Sequence, residues 1–118
     1  MGVPLINGQR LFGASTLLAA AVLACASHRT TAFAAPGTLQ VVIEGMQFSP
    51  QSLVVKSGDT VVWVNKDAFA HDATAIDGSF KTKPIAPMDS WKFKADKKGA
   101  FAYICTIHTT MKGSLTVE

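Results

Sequence analysis

Short runs of apolar and β-branched residues follow one another from about residue 39 to the end of the chain. Residues 90–95 show the clearest pattern, since Trp91, Phe93 and Ala95 alternate with Lys92 and Lys94. Alternation with a period of two places apolar side chains on one face of a β-strand and charged side chains on the other. The pattern therefore predicts a strand with one buried face at residues 90–95.

Five further runs have the composition of strands, because they are short and rich in Val, Ile, Leu and aromatic residues. They cover residues 39–43, 53–55, 60–65, 100–105 and 113–117. Turn formers such as the Lys-Ser-Gly-Asp segment at residues 56–59 separate them, and no stretch of useful length has a helical period. We therefore predict an all-β fold, a Greek-key β-sandwich of seven to eight strands, in residues 36–118.

A domain of this size buries only about 60% of the surface of its unfolded chain, so large side chains must supply much of its core. The two sheets of a sandwich bury such side chains against each other. The predicted core residues are Trp63, Trp91, Phe93, Phe101, Leu115 and Val117.

The first 35 residues differ in kind from the rest. Residues 1–10 hold one Arg and no acidic residue, and residues 11–26 are almost wholly apolar. This start, followed by small residues at Ala32 and Ala34, predicts a cleavable export signal over residues 1–35, removed before Ala35 or Pro36. We therefore expect a periplasmic protein.

An alternative processing site lies inside the same leader. The Val-Leu-Ala-Cys segment at residues 22–25 resembles the cleavage box of bacterial lipoproteins. Processing there would leave a lipid-modified Cys25 and a lipid-anchored protein. Contact with a membrane is expected only in that case.

The formal net charge of +3 depends on the leader, because both arginines lie in it and all eight acidic residues follow it. Residues 36–118 keep nine lysines against eight acidic residues, a net charge of +1. This balance gives no reason to expect a nucleic-acid partner.

Removal of the leader also removes one of the two cysteines. Only Cys105 then remains, so no internal disulfide can form. An unpaired thiol in an oxidising compartment is protected when a metal ion occupies it.

Cys105, His108 and Met111 follow one another at three-residue steps after a predicted strand, and His71 precedes them. Each is ambiguous alone, since a single Met or Cys usually fills a core. Together they supply the thiolate, two imidazoles and thioether of a blue copper site, with three donors in a plane and a weak axial Met. We therefore predict that His71, Cys105, His108 and Met111 bind one type 1 copper ion.

The segments around these residues resemble the single-domain cupredoxins. They are Gly-Asp-Thr-Val-Val-Trp-Val-Asn at residues 58–65, then His71, and Tyr-x-Cys-Thr-x-His-x-x-Met-Lys-Gly at residues 103–113. The short ligand loop most resembles that of the amicyanins and, more loosely, those of the pseudoazurins and plastocyanins. The resemblance covers residues 46–118 and implies a blue copper protein with the same four ligands, which carries single electrons by Cu(II)/Cu(I) cycling.

In that family the second histidine of the site, here His108, presents its ring edge at an apolar surface. The resemblance implies a monomer whose redox partner proteins dock transiently at this surface. Candidate docking residues are Met46, Phe69, Ala70, Ile85, Pro87, Met88 and Ile107. Core packing is the alternative for Met46 and Phe69.

Some positions depart from the family pattern. Many relatives carry proline where this chain has Ile107 and Thr109, and Ile107 has a backbone N–H that proline lacks. We hypothesise that this N–H donates to the Cys105 sulfur and raises the reduction potential. Asp72 stands where Asn is common, and we expect its carboxylate to accept a hydrogen bond from the Thr106 hydroxyl. The alternative is an exposed Asp72 carboxylate that water screens.

Enzymatic interpretations lack the residues that they need. A second copper centre, as in a multicopper oxidase or nitrite reductase, needs more histidines than His71 and His108, the two in residues 36–118. A Cys-His hydrolase would need an orienting group and an oxyanion hole that nothing in the sequence marks. The sequence therefore predicts a small exported electron carrier and not an enzyme. A periplasmic protein that binds and delivers copper is the alternative.

Overall fold

The computed structural model describes residues 34–118, together with Gly2, Thr30 and Ala32. The chain divides into two units, Met1–Ala32 and Phe33–Glu118, and residues 34–118 belong to the second. The predicted leader of residues 1–35, including Cys25, lies almost wholly outside the described residues. In the part of the chain that the structure describes, there is no apolar helix of membrane-spanning length.

The described chain forms two four-stranded β-sheets. The strands are β1 (Thr38–Glu44), β2 (Gln47–Ser49), β3 (Ser52–Val55), β4 (Thr60–Asn65), β5 (Thr74–Ala75), β6 (Ser90–Lys94), β7 (Gly99–Ile104) and β8 (Lys112–Val117). One sheet has the order β2-β1-β4-β6, and the other has the order β3-β8-β7-β5. The predicted all-β sandwich of seven to eight strands is confirmed.

The chain crosses repeatedly between the two sheets. The pairs β1/β4 and β3/β8 are parallel, whereas the remaining pairs are antiparallel. Strand β4 ends at Asn65 and strand β7 ends at Ile104, and each leads directly into a loop that carries predicted copper ligands. The two sheets thereby supply one half of the site each.

All six predicted strands are present, and the prediction for residues 60–65 coincides with β4. Strands β2 and β5 were not predicted, because three and two residues are too few to show a period. Strand β2 is instead set by a two-residue turn, in which Glu44 pairs with Gln47 across Gly45 and Met46.

The core lies between the sheets. Four of the six predicted core residues, Trp63, Phe101, Leu115 and Val117, are buried. Trp91 and Phe93 are only partly buried and pack against this cluster, because β6 is an edge strand. The predictions missed Phe48, Phe80 and Tyr103, which are also buried.

Tyr103 links the core to the ligand loop that follows it. Its ring packs edge-on against Trp63, with centroids 5.7 Å apart, and burial raises the pKa of its hydroxyl. Gly113 of strand β8 pairs with Tyr103 of strand β7, and a Cβ on Gly113 would lie only 2.3 Å from the Tyr103 Cζ. Glycine is therefore required two residues after Met111, so that β8 can pack this closely on β7.

Candidate metal centre

The first predicted ligand, His71, is held by backbone and side-chain contacts alike. Its amide donates to the Ile85 carbonyl at 3.2 Å, and its carbonyl accepts from the Ile85 amide at 2.7 Å. The ring is fully buried, and its Nε2 lies 2.9 Å from the Asp67 Oδ2. The other ring nitrogen, Nδ1, is left to face the remaining donors.

The other three predicted ligands lie on one tight loop between β7 and β8. The Cys105 amide donates to the Met111 carbonyl at 3.1 Å, and the Met111 amide donates to the His108 carbonyl at 3.0 Å. These two hydrogen bonds close the loop. Cys105 and Met111 are buried, whereas His108 is half-buried.

His71, Cys105 and His108 come together as three converging donors. The Cys105 Sγ lies 3.8 Å from the His71 Nδ1 and 4.0 Å from the His108 Nδ1, and the two nitrogens are 3.1 Å apart. A point equidistant from these atoms lies about 2.1 Å from each, close to the about 2.0–2.1 Å of zinc–imidazole bonds and slightly shorter than the about 2.3 Å of zinc–thiolate bonds. The three residues therefore fit a trigonal metal site. The axial role of Met111 stays a prediction, supported by its burial at the end of the same loop.

Asp72 joins the two ligand segments. The Thr106 amide donates to the Asp72 Oδ1 at 2.6 Å, and the Thr106 hydroxyl donates to Oδ2. The expected hydrogen bond from Thr106 is therefore confirmed. The alternative of an exposed, screened carboxylate is wrong, because Asp72 is only 3% exposed.

The donor to the Cys105 sulfur is not the one hypothesised. The Asp72 amide lies 3.5 Å from the Cys105 Sγ and donates to it. Residues 34–118 show no hydrogen bond from the Ile107 amide to this sulfur, so that hypothesis is wrong. The physical reason is the bridge to Thr106, which draws the backbone of Asp72 against the neighbouring thiol.

Asn65 and Asp67 support His71, and sequence analysis missed both. The buried Asn65 amide group donates to the carbonyls of Phe69 at 2.7 Å and Ile85 at 2.9 Å, and its Oδ1 accepts from the Asp67 amide. Polar residues directly after an apolar strand could have indicated such a brace. Some of their partners, however, come from other segments: Ile85 for Asn65, and the turn at residues 45–46 for Asp67.

Asp67 also accepts hydrogen bonds from the turn between β1 and β2. The amides of Gly45 and Met46 donate to its carboxylate at 2.7 and 3.0 Å. Partial burial alone would raise the pKa of Asp67, but hydrogen bonds from these two amides and from His71 hold it below its ordinary value. The carboxylate is therefore stabilised in its ionised form.

Four of the candidate docking residues are exposed apolar side chains. Phe69, Met88, Ile107 and Met46 are 62, 81, 49 and 38% exposed, so core packing of Phe69 and Met46 is wrong. The Phe69 ring meets the His108 ring edge to face, with centroids 6.4 Å apart.

The remaining candidate docking residues differ in exposure. Pro87 is exposed and Ala70 is half-buried. Ile85 is only 2% exposed, so it was wrongly assigned to the surface. Its backbone pairs with His71, and this pairing turns its side chain into the core.

A family model described as a cupredoxin-like domain matches residues 15–117. The chain belongs to the cupredoxin-like family. Relatives of this cupredoxin include amicyanin-alpha of Methylorubrum extorquens, which is 31% identical over 105 residues, or 85% of this chain and 88% of the relative. Amicyanin of Paracoccus denitrificans is 31% identical over 113 residues, which cover 91% of this chain and 86% of the relative. Plastocyanin of Scenedesmus fuscus is 34% identical over 84 residues, or 60% of this chain and 86% of the relative.

Solved structures show the same fold. A Cu(I) form of an amicyanin variant matches with a TM-score of 0.65 at 27% identity, covering 69% of this cupredoxin and 82% of that chain. A copper-containing nitrite reductase from Thermus scotoductus matches with a TM-score of 0.64 at 33% identity and 71% coverage of this cupredoxin. The match spans only 22% of the reductase. It therefore indicates a shared domain and not a shared reaction.

The donors fit the copper chemistry of the family. A buried thiol and two imidazoles that converge on one point are the equatorial set of a type 1 site. The cofactor of this cupredoxin is accordingly a single type 1 copper.

Proposed function

We propose that this cupredoxin is a small exported blue copper protein that carries single electrons between redox partners. The triangle formed by the His71 Nδ1, the His108 Nδ1 and the Cys105 Sγ is the observation that carries the proposal. We assign these three residues as equatorial ligands and Met111 as the axial ligand. The amicyanin and plastocyanin relatives support the carrier role.

Copper bound here would supply a one-electron couple, Cu(II)/Cu(I). The residues of the chain hold the donors in place and keep water away. His71 and Cys105 are fully buried, and the Asp72 carboxylate joins their two segments through Thr106. Donors that stay in place need little rearrangement when the charge of the site changes, which favours rapid electron transfer.

His108 is the proposed exit for electrons. It is the least buried member of the donor triangle, and its ring lies edge-on to the exposed ring of Phe69. We propose that partner proteins dock transiently on the apolar surface formed by Met46, Phe69, Ala70, Pro87, Met88 and Ile107. A small apolar contact suits a weak, short-lived complex of a monomeric carrier.

The proposed location is the periplasm, after removal of residues 1–35. Mass spectrometry of the native N-terminus tests this point. A start at Ala35 or Pro36 supports the soluble form, whereas a lipid-modified Cys25 supports the anchored one.

Copper delivery is the alternative, and the buried thiol argues against it. Cys105 is 0% exposed, whereas a protein that releases copper readily needs sulfur that a partner can reach. Copper(II) is added to the purified protein, and visible absorption and a voltammogram are recorded. We expect an intense thiolate-to-copper band and a reversible one-electron wave, both lost in Cys105→Ser. A colourless protein without a wave would contradict the carrier role, and slow self-exchange with ready copper loss would favour delivery.

A further inference from the structure

The Asp67 carboxylate collects three N–H groups from two separate parts of the chain. Its Oδ1 accepts from the Gly45 amide, and its Oδ2 accepts from the Met46 amide. The same Oδ2 lies 2.9 Å from the His71 Nε2. The side chain of Asp67 is 13% exposed, and that of His71 is 0% exposed. The contact with His71 is therefore largely shielded from water, and so it is stronger than a surface ion pair.

The hydrogen bond decides which nitrogen of His71 carries the proton. A neutral imidazole has one N–H donor and one acceptor nitrogen, and an ionised carboxylate can only accept. Nε2 must therefore be the donor to Asp67, which leaves the lone pair on Nδ1. That nitrogen is the one that faces the Cys105 Sγ and the His108 Nδ1.

The turn that supplies the other two N–H groups has an unusual backbone. Gly45 and Met46 have φ angles of 63° and 60°. Positive φ at both central residues is required by this type of two-residue hairpin turn, but it is unfavourable for a residue with a Cβ such as Met46. The hydrogen bonds from both amides to Asp67 fasten the turn in this conformation.

We infer that Asp67 is a positioning residue for copper, which fixes His71 with its proton on Nε2 and its Nδ1 toward the metal, and which joins the turn at residues 45–46 to the site. This inference rests on the proposed ligand role of His71. A carboxylate behind a metal-bound imidazole fixes the ring and makes it a stronger donor. The stronger donor and the nearby negative charge both favour Cu(II) over Cu(I).

The first test needs no copper. In the wild-type apo protein at about pH 8, the ¹⁵N shifts of the His71 ring report its tautomer. We expect the proton on Nε2 in the wild type and a loss of this single form in Asp67→Asn. A wild-type ring protonated on Nδ1 would overturn the inference, whether or not the protein forms a blue site.

The second test measures the copper-loaded protein. Loss of such a partner typically costs 10- to 100-fold in metal affinity. We expect Asp67→Asn to bind Cu(II) about tenfold more weakly. If Cu(I) binding is unchanged, the potential rises by about 59 mV. A blue wild type with an Asp67→Asn variant of equal affinity and potential would overturn this inference while leaving the proposed function intact.

Two variants separate positioning from charge and from folding. Asp89→Asn removes the same charge beside the same strand end, since the Asp89 carbonyl accepts from the Asn65 amide. Among residues 34–118, its exposed carboxylate accepts only from the Ser90 amide, so we expect a clearly smaller shift in potential. Gly45→Ala strains the same turn at its positive φ while both amides and the Asp67 carboxylate stay in place, so it should lower thermal stability and shift the potential clearly less than Asp67→Asn. Equal shifts of the potential in Asp89→Asn and Asp67→Asn would show that the loss of a negative charge alone explains the effect. The positioning role of Asp67 would then be overturned.

Discussion

The two histidines of the proposed copper site are held in opposite ways. The His71 ring is fully buried and is braced at Nε2 by Asp67, and its backbone is paired with Ile85. The His108 ring is half-buried on a loop closed by its own backbone, and its ring neighbours are His71 and Phe69. Within residues 34–118, it has no hydrogen-bond partner beyond the converging donors.

The difference separates two tasks that one site must perform. A braced, buried ligand can set the geometry before copper arrives. A half-buried ligand at the surface can meet a partner protein, but it depends on copper and the loop for its position. The arrangement therefore places rigidity at His71 and access at His108.

The largest expected effect comes from removing each ring in turn. In His71→Gly and His108→Gly, the blue band disappears, because one equatorial donor is missing. Added imidazole should restore the band in His108→Gly, since the space that it vacates opens to solvent. Recovery should fail in His71→Gly, whose space is enclosed. Titration of both variants with imidazole, followed by visible absorption, checks this difference.

The wild type titrated with the same imidazole is the control for that experiment. Equal recovery in both variants would show that the His71 pocket opens readily. The contrast between a fixed and an accessible ligand would then be wrong.

A smaller effect is expected where the two ligand segments meet. Asp72→Asn removes a buried negative charge next to the Cys105 sulfur, so Cu(II) loses stabilisation and the potential should rise. A difference of about 1 kcal/mol between the oxidation states corresponds to about 40 mV. Voltammetry measures the shift, and a fall in potential would contradict the charge argument.

Thr106→Val is the matched variant for Asp72→Asn. It removes the hydroxyl donor. The Asp72 charge stays, and so does the hydrogen bond from the Thr106 amide to the Asp72 Oδ1 at 2.6 Å. Its potential should stay close to that of the wild type. If the potential of Thr106→Val rose as much as that of Asp72→Asn, the hydrogen bond from the Thr106 hydroxyl would explain the effect instead of the Asp72 charge.

The proposed copper ligands stand out in the sequence because their spacing is local. Cys105, His108 and Met111 lie on one loop after a strand, and their donor types match one kind of metal site. The contacts that support them could not be predicted in the same way. Asp67 reaches the turn at residues 45–46, which is 21 to 22 residues away in sequence, and no local pattern encodes that contact.

The errors have the same origin. The sequence places Ile85 among the docking residues beside His108, yet pairing with His71 buries it. The sulfur donor was assigned to Ile107 because it is close in sequence. The observed donor, Asp72, is 33 residues away. Strand periodicity predicts faces and approximate bounds, whereas contacts between loops depend on how the sheets bring those loops together.

Asp59 is a hydrogen-bonded carboxylate that lies outside the proposed copper site, and we expect it to affect stability alone. The Asp59 carboxylate accepts from the amides of Gly37 at 2.8 Å and Lys56 at 2.9 Å. These hydrogen bonds hold the pKa of Asp59 below its ordinary value of 3.8. A lowered pKa in the folded state means that the carboxylate stabilises the fold above the ordinary value, and that this stabilisation is lost as the pH falls through the folded pKa.

Asp59→Asn should therefore lower the melting temperature at pH 7 and leave the copper potential unchanged. The difference in melting temperature from the wild type should shrink as the pH falls below about 4. Thermal melts across this range, with a voltammogram at pH 7, check both parts. A shift in potential would show that the two sites are coupled.

The smallest effect is expected at Ile107. It tests whether the Asp72 amide or the Ile107 amide donates to the Cys105 sulfur. Proline at this position removes an amide that makes no hydrogen bond to the Cys105 Sγ, while the Asp72 amide still donates at 3.5 Å. Ile107→Pro should therefore change the potential by much less than the about 40 mV expected for Asp72→Asn. Its effect should appear instead as slower amide exchange of the loop in the apo protein, because proline restricts the backbone. A fall in potential comparable to the rise in Asp72→Asn would contradict this expectation. It would mean that the Ile107 amide acts on the Cys105 sulfur once copper is bound, in addition to the Asp72 amide.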